Sequence, residues 1–313
     1  MTALDALILG IVEGITEYLP VSSTGHLILV SRWLGLAGSD EARQSIDTFN
    51  IVVQGAAVLA VAGLYRHEVA RIIRAILAFS RAMSPAQTHR RDLKLSRNLL
   101  ISFLPAAVIG VTLGDWFEER FFAPGPVVAA LALGGVVMIA LAPWVRGRAQ
   151  SASDTSRDGS TLSASAALGI GFIQCLALFP GTSRSMVTIL GSLLCGLSPR
   201  EAAKYSFLLA LPTLGAACAY KSLGLFKSGT LLVQLGGWLP LTIGLVAAFV
   251  SAALSIRWLI GYLGRGGFAL FGWWRIAVAA IVMLGLYQGW IPQNLNAGES
   301  KTATEQTTGV KTP

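Results

Sequence analysis

Six long apolar runs constrain this chain more than any other feature. They lie at about 49–65, 99–114, 126–143, 205–220, 229–256 and 268–291, and only the last contains a charge, Arg275. A helix needs about 20 apolar residues to cross a bilayer, so the first two runs are about a turn short and their boundaries are approximate. Charged residues make up only 13% of the chain and mean hydropathy is +0.64. The sequence therefore predicts an all-α polytopic membrane protein with six transmembrane helices.

Two further apolar regions, 3–36 and 162–197, are interrupted in the middle. Pro, Gly and Ser break them at 20–26 and 180–185, so that each half is too short to span a membrane. Non-helical backbone at membrane depth is tolerated only where protein buries it or water lines it. Both regions are therefore predicted to be re-entrant helix–loop–helix hairpins.

The two interrupted regions resemble each other. Gly10-x-x-Glu13 precedes Pro20-x-x-Ser23, much as Gly171-x-x-Gln174 precedes Pro180-x-x-Ser183, with a one-residue difference in length. Each repeat, about 3–143 and 162–291, would hold one hairpin and three spans. Because three is odd, the second copy is inverted, as in inverted-topology repeats. We expect one membrane domain over 1–291 and a polar, disordered tail over 292–313.

Loop charges predict the orientation. Segment 66–97 carries eight Lys or Arg against two acids, whereas 37–48 and 115–125 each carry one Arg against three acids. The positive-inside rule places 66–97, 144–158, 198–204 and 257–267 in the cytoplasm. Loop 221–228 dissents, with two lysines on the outer side. The net charge of +8 thus marks cytoplasmic loops, and nucleic acid is not expected as a partner.

Glu13 and Glu17 lie in an otherwise apolar run, four residues apart and so on one helix face. Ionisable groups at membrane depth are costly and are functional by default. Such a pair can bind a divalent cation, or one member can act as a general base. The alternative is that both merely mark a wet surface cleft.

Polar residues open the second half of each hairpin. The first hairpin has Ser22, Ser23, Thr24 and His26, and the second has Gly181, Thr182, Ser183, Arg184, Ser185 and Thr188. Free N–H groups at a helix N-terminus bind anions, and a serine three residues from a histidine provides a nucleophile or donor beside a proton carrier. Arg184 with flanking hydroxyls suits a phosphate, although it could instead be a structural partner of Glu13 or Glu17.

Other polar residues are weaker candidates for the cleft. Arg32, Gln54, Ser206 and Arg275 lie in or beside apolar runs, where helix packing is at least as good an explanation. The tryptophans, including Trp273 and Trp274, are best interpreted as an interfacial belt.

The run from Glu13 to His26, together with the segment from Pro180 to Ser185, closely resembles the bacterial undecaprenyl-diphosphatase family linked to bacitracin resistance. Hydropathy and spacing extend the resemblance over about 3–290. It implies hydrolysis of undecaprenyl diphosphate to undecaprenyl phosphate and inorganic phosphate, which recycles the carrier lipid of the cell wall. It also implies a requirement for Mg²⁺ or Ca²⁺.

The resemblance further assigns residues and partners. It implies that Glu13 and Glu17 are the acidic pair, that Ser23 and His26 are the nucleophile and its proton-transfer partner, and that Arg184 is the diphosphate ligand. The protein would lie in the bacterial inner membrane, with its active site facing the extracytoplasmic side. Bacitracin would compete indirectly, by binding the polyprenyl diphosphate substrate. A homo-oligomer is left open.

The residues themselves leave two questions open. Ser23 could attack phosphorus, or it could only bind phosphate while Glu13, Glu17 or His26 activates water. A transporter or flippase for polyprenyl-phosphate lipids is the alternative function, because inverted repeats with broken hairpins are also a transporter design.

Overall fold

The structure, a computed structural model, describes residues 1–36, 40–80, 87–151, 157–227, 235–265 and 267–291. Regular structure in these ranges is helical, and six helices are long and apolar enough to cross a membrane. The predicted all-α, six-span membrane architecture is confirmed. The predicted tail, 292–313, lies outside the described residues.

Four of the six membrane-spanning helices extend beyond their apolar runs at one or both ends, the fifth is shifted toward its C-terminal end, and the last lies inside its run. In chain order they are α1 (Ala3–Tyr18), α2 (Ser23–Trp33), α3 (Asp40–Leu64), α4 (Arg66–Ser80), α5 (Gln87–Phe121), α6 (Pro124–Gln150), α7 (Ala164–Gln174), α8 (Arg184–Leu194), α9 (Pro199–Lys227), α10 (Trp238–Leu263) and α11 (Ala269–Tyr287). The six spans are α3, α5, α6, α9, α10 and α11. The polar ends of α3, α5, α6 and α9 continue these helices beyond their apolar runs, and hydropathy alone does not predict this extension.

The interpretation of 66–97 as a loop was wrong, because this segment contains α4 and the start of α5. The apolar residues of α4 recur at helical spacing. Val69 and Ile72 pack against the main core, and Ala75 is fully buried. Arginines occupy other faces of the same helix, so the high charge of the segment concealed an amphipathic helix.

Both interrupted regions form helix–loop–helix hairpins. Helix α1 has 16 residues, and α2, α7 and α8 have 11 each, so all four are shorter than the spans. A capping box between Thr2 and Asp5 begins α1, which ends at Tyr18, two residues before Pro20. Proline disfavours helical backbone in the residue before it, here Leu19, which is extended.

The first helix of each hairpin packs against the second span of the other predicted repeat. Helix α1 packs on α10 and α7 packs on α5, both through glycines. A Cβ on Gly14 would lie 2.1 Å from Ser251 Oγ, and one on Gly171 would lie 2.8 Å from the Ser102 carbonyl. This crosswise exchange is the packing that a two-fold repeat produces, and it directs both hairpin loops toward the middle of the molecule.

The predicted inner and outer segments gather at opposite ends. At one end Lys204 pairs with Glu68 at 3.0 Å, and Arg91 pairs with Asp158. At the other end Lys221 Nζ lies 3.9 Å from Glu118 Oε2. The interpretation of 221–228 as a loop was wrong, because α9 continues to Lys227, and Lys221 lies on this helix beside an acidic segment.

Candidate active site

The two hairpins meet in an ion pair. Arg184, the first residue of α8, donates from Nη2 to Glu17 Oε1 at 3.0 Å. The side chains are 7% and 6% exposed, although 167 residues separate them along the chain. A buried charge pair is stable only when further hydrogen bonds satisfy both groups. Its neighbours therefore define the candidate site.

Glu17 is the centre of these contacts. Its Oε2 accepts from Ser23 Oγ at 3.0 Å and from Gln54 Nε2 at 3.2 Å. Donors thus reach Glu17 from both hairpins and from α3. The carboxylate is held rigidly, and the hydroxyl of Ser23 is directed at it.

Glu13 lies one turn before Glu17 on the same face of α1. It is 1% exposed, and its Oε2 has no hydrogen-bond partner among the described residues. A buried carboxylate oxygen without a partner is costly unless a ligand completes it. Glu13 therefore has an acceptor available for a cation or a donor.

Arg184 is held by its own helix and by α9. Nη1 donates to the Ser206 carbonyl at 3.1 Å, and Ser206 Oγ lies 2.6 Å from Thr188 Oγ1. The guanidinium also lies over the ring of Tyr18, 5.6 Å from its centroid. Its Nε has no partner among the described residues, so one donor is free for an anion. Thr188, predicted to bind substrate, is fully buried and supports Arg184 through Ser206.

Ser22 and Ser183 have the same unusual backbone. Their φ and ψ are 72° and 108° in Ser22 and 74° and 108° in Ser183, and they are the described non-glycine residues with positive φ. Each directly precedes a hairpin helix. The structure thus pairs Ser22, not Ser23, with Ser183. An offset of 161 residues aligns the hairpins without the one-residue difference, because it also matches Gly10 with Gly171.

The hydrogen bonds of the described residues do not join His26 to Ser23, so the structure does not show the predicted pairing. His26 Nδ1 lies 2.7 Å from the Ser22 carbonyl, so that nitrogen carries the proton. Its Nε2 accepts from Trp274 Nε1 at 2.7 Å. Both ring nitrogens are occupied, and the hydroxyl of Ser23 is directed at Glu17 instead. Trp274 is 53% exposed, and its indole N–H orients a site residue.

The remaining predicted site residues line the loops. Ser185 is fully buried and donates to the Leu19 carbonyl at 3.0 Å, which ties the second hairpin to the first. Gly181 has a φ of +91°, and a Cβ there would lie 2.6 Å from the Val127 carbonyl, so only glycine fits. Thr24 and Thr182 are partly exposed beside the two serines that precede α2 and α8.

Three of the weaker candidates contact the site after all. Gln54 and Ser206 contact the ion pair directly, and Arg275 donates to the carbonyls of Gly181 and Thr182. The charge of Arg275 inside an apolar run was the one sequence signal for it. Arg32 instead donates to the Trp290 carbonyl at the C-terminal end of α2. Nothing in the sequence distinguished Trp274 from the other tryptophans.

This arrangement is suited to an anion with several oxygens. Two helix N-termini, whose first N–H groups lack helical partners, begin beside a buried arginine. A hydroxyl hydrogen-bonded to a carboxylate lies next to them. Phosphoryl transfer needs these parts: positive groups for the phosphate oxygens, a nucleophile and a proton acceptor.

Residues 6–281 match the family described as Bacitracin resistance protein BacA. A relative from Sorangium cellulosum named undecaprenyl-diphosphatase is 44% identical over 283 residues, covering 89% of this chain and 85% of that protein. One of the same name from Cereibacter sphaeroides is 40% identical over 295 residues, covering 92% and 98%. Undecaprenyl-diphosphatase 1 of Stutzerimonas stutzeri is 40% identical over 281 residues, covering 90% and 93%. The chain belongs to the bacitracin resistance protein BacA family.

Proposed function

We propose that this protein hydrolyses undecaprenyl diphosphate to undecaprenyl phosphate and inorganic phosphate. The names of its full-length relatives support this reaction. The observation that carries it is the contact of Arg184 and Ser23, one from each hairpin, with the two oxygens of Glu17. That contact brings an anion ligand, a nucleophile and a base into one buried cluster.

The Ser23–Glu17 hydrogen bond supports direct attack by Ser23. Glu17 takes the proton of Ser23 Oγ while Oγ bonds to the terminal phosphorus. The P–O bond to the bridging oxygen breaks, and undecaprenyl phosphate leaves with both electrons of that bond. Water then attacks the phosphorus of the phosphoserine. The bond between phosphorus and Ser23 Oγ breaks, inorganic phosphate is released, and Glu17 returns the proton to Oγ. In the competing route Glu17 activates water, and Ser23 only binds the phosphate.

The second hairpin provides donors that stabilise the negative charge on the phosphate oxygens during this step. Arg184 keeps Nε free while its Nη atoms are fixed on Glu17 and Ser206. The first N–H groups of α2 and α8 provide further donors for non-bridging oxygens. Preorganised donors of this kind stabilise the transition state because they need no rearrangement during the reaction.

Glu13 and Glu17 fit a divalent cation, Mg²⁺ or Ca²⁺, as part of this proposal. The unpartnered Oε2 of Glu13 is the available protein ligand, and Glu17 lies one turn away. The described residues contain no group of three or more His, Cys, Asp or Glu side chains suited to a metal. Mg²⁺ commonly binds one or two carboxylates and completes its shell with substrate phosphates and water. Such an ion would neutralise phosphate charge.

An apolar groove of about 860 Å³ suits part of the prenyl chain. It runs between α1 and α10, on the face of α1 opposite the carboxylates, and includes Ile11, Ile15, Val250 and Leu254. The headgroup would enter the polar cluster while the hydrocarbon stays among apolar side chains.

The basic end of the molecule supports an orientation in the bacterial inner membrane, with that end in the cytoplasm. The active site would open to the extracytoplasmic side, where bacitracin captures the same substrate. A reporter fused after residue 313 tests this topology. We expect an extracytoplasmic signal, and a cytoplasmic one would contradict the inverted arrangement.

The test of the activity is phosphate release from undecaprenyl diphosphate by purified protein, with Mg²⁺ and with EDTA. We expect release that needs the metal, and a loss of about 1000-fold in Ser23→Ala if Ser23 is the nucleophile. Thr112→Ala is the matched control, because that hydroxyl bonds only its own helix. Wild-type protein that releases no phosphate but moves the lipid between vesicle leaflets would favour the flippase instead.

A further inference from the structure

Arg275 is a fully buried arginine with unusual partners. All of its guanidinium nitrogens donate to backbone carbonyls: Nε to Leu131 at 3.3 Å, Nη1 to Thr182 at 3.1 Å and Pro20 at 3.4 Å, and Nη2 to Ala130 at 2.9 Å and Gly181 at 3.0 Å. The ion pairs among the described residues do not include it. Its five donors are thus used on three segments, namely α6 and the loops of both hairpins.

Three of these carbonyls, those of Pro20, Gly181 and Thr182, lie in irregular backbone and need a donor from the protein. Irregular backbone at membrane depth cannot rely on water, and an unsatisfied carbonyl there is costly. Pro20 lies two residues before Ser22, and Gly181 and Thr182 directly precede Ser183. Arg275 therefore holds the backbone just ahead of the two serines with positive φ.

Helix α6 is shaped to admit this side chain. A Cβ on Gly134 would lie 2.3 Å from Arg275 Nη2, so a larger residue would displace the guanidinium. Gly135 and Gly272 face each other across the contact between α6 and α11. A Cβ added to either glycine would lie within 2.8 Å of the carbonyl oxygen of the other. Three residues later on each helix come Met138 and Arg275, both fully buried. The equivalent position in α6 is thus apolar, and packing of the helix pair does not itself require a charge.

We propose that Arg275 is a positioning residue for diphosphate hydrolysis, an inference that rests on the function proposed above. By holding both loops, it directs the first N–H groups of α2 and α8 toward the same phosphate group. Its charge, which no described carboxylate pairs, also adds to the positive potential at these loops.

The test compares Arg275→Lys and Arg275→Met with wild type. Lysine keeps the charge but has one nitrogen and cannot reach three segments, and methionine copies the residue found in α6. Arg148→Met is the matched control, because Arg148 also donates to a carbonyl, that of Leu197, at the other end of α6. For each variant, kcat and KM with undecaprenyl diphosphate and the inhibition constant of inorganic phosphate are measured per folded protein, judged by elution and melting.

For Arg275→Lys we expect kcat/KM to fall about 100-fold, because small displacements of positioned groups have effects of that size. The inhibition constant of phosphate should rise with KM, and Arg148→Met should match wild type. Values of kcat, KM and the inhibition constant equal to wild type in folded Arg275→Lys would overturn the proposal. A loss of activity that is fully explained by a smaller fraction of folded protein would also overturn it. If the wild-type protein itself releases no phosphate, the proposed hydrolysis is wrong. If the wild type is active and Arg275→Lys is unchanged, only the positioning role of Arg275 is wrong.

Discussion

The two hairpins have the same backbone and different chemistry. Ser22 and Ser183 share φ and ψ within about 2°, and each directly precedes an 11-residue helix. Yet Glu13 in the first hairpin corresponds to Gln174 in the second, and Ser23 corresponds to Arg184. The first hairpin thus carries the acids and the hydroxyl, and the second carries the cation.

This difference shows how a repeated scaffold builds a single site. The crosswise packing brings two helix N-termini together, and Ser23 and Arg184 contact the two oxygens of Glu17 from equivalent positions. Two copies of the first hairpin would place acids against acids, and two copies of the second would lack a base. We infer that the symmetry provides the anion site and the asymmetry provides the reaction.

The largest expected effect comes from removing the cation of the second hairpin. Arg184→Met should lower kcat/KM about 1000-fold, because it deletes a preorganised donor and leaves Glu17 without its ion-pair partner. Arg32→Met is the control, since Arg32 donates to the Trp290 carbonyl away from the site. Phosphate release measures both variants. If Arg184→Met keeps more than a tenth of the activity, Arg184 is not the anion ligand.

Giving the first hairpin the residue that the second hairpin has at the position of Glu13 should have the next largest effect. Glu13→Gln should reduce activity about 100-fold and raise the Mg²⁺ concentration needed, because loss of one carboxylate ligand weakens the metal site. The reciprocal change, Gln174→Glu, should leave the activity of folded protein within about threefold, as expected for a residue outside the site. Gln174 contacts Ser102 and Thr213 instead. Equal losses in both variants, read from Mg²⁺ titrations, would argue against the assignment.

His26 has no counterpart in the second hairpin, where Val187 corresponds to it. Trp274→Phe removes the N–H that occupies His26 Nε2 and keeps an aromatic ring. We expect kcat/KM to fall about fivefold, the value of one net hydrogen bond. Trp273→Phe is the matched control on the neighbouring position. A Trp274→Phe enzyme with unchanged kinetics would mean that the orientation of His26 does not matter.

The smallest effect concerns the two serines with positive φ. Ser183 Oγ accepts from the Met186 N–H at 3.3 Å, whereas Ser22 makes no capping bond. Ser183→Ala should therefore lower stability by about 1 kcal/mol, and Ser22→Ala should leave it nearly unchanged. Thermal melting in detergent compares the two variants. Identical shifts would mean that the cap contributes nothing to the difference between the hairpins.

The sequence predicted the parts of this architecture that hydropathy controls. Six spans followed from apolar runs, and the interruptions at 20–26 and 180–185 marked the hairpins because helices cannot continue through them. Glu17 and Arg184 were recognisable because buried charges are rare in such runs. The segment 66–97 was misinterpreted, because a basic amphipathic helix and a basic loop have similar composition.

Contacts between distant segments could not be predicted in the same way. The Ser23–Glu17 bond and the Trp274–His26 bond depend on side-chain directions that only the packed helices determine. Proximity along the chain suggested His26 as the partner of Ser23, but on α2 the imidazole instead bonds the Ser22 carbonyl one turn back. Arg275 was visible as a charge, yet its five carbonyl partners come from three separate segments.

A double-mutant cycle between the hairpins tests the central claim most directly. Phosphate release from undecaprenyl diphosphate is measured for Glu17→Gln, Arg184→Met and the double variant, each per folded protein. If the hairpins form one site, the double variant should be no worse than the poorer single variant, since residues that act as a unit are strongly non-additive. Losses that multiply would mean that Glu17 and Arg184 act independently, and would contradict a shared site.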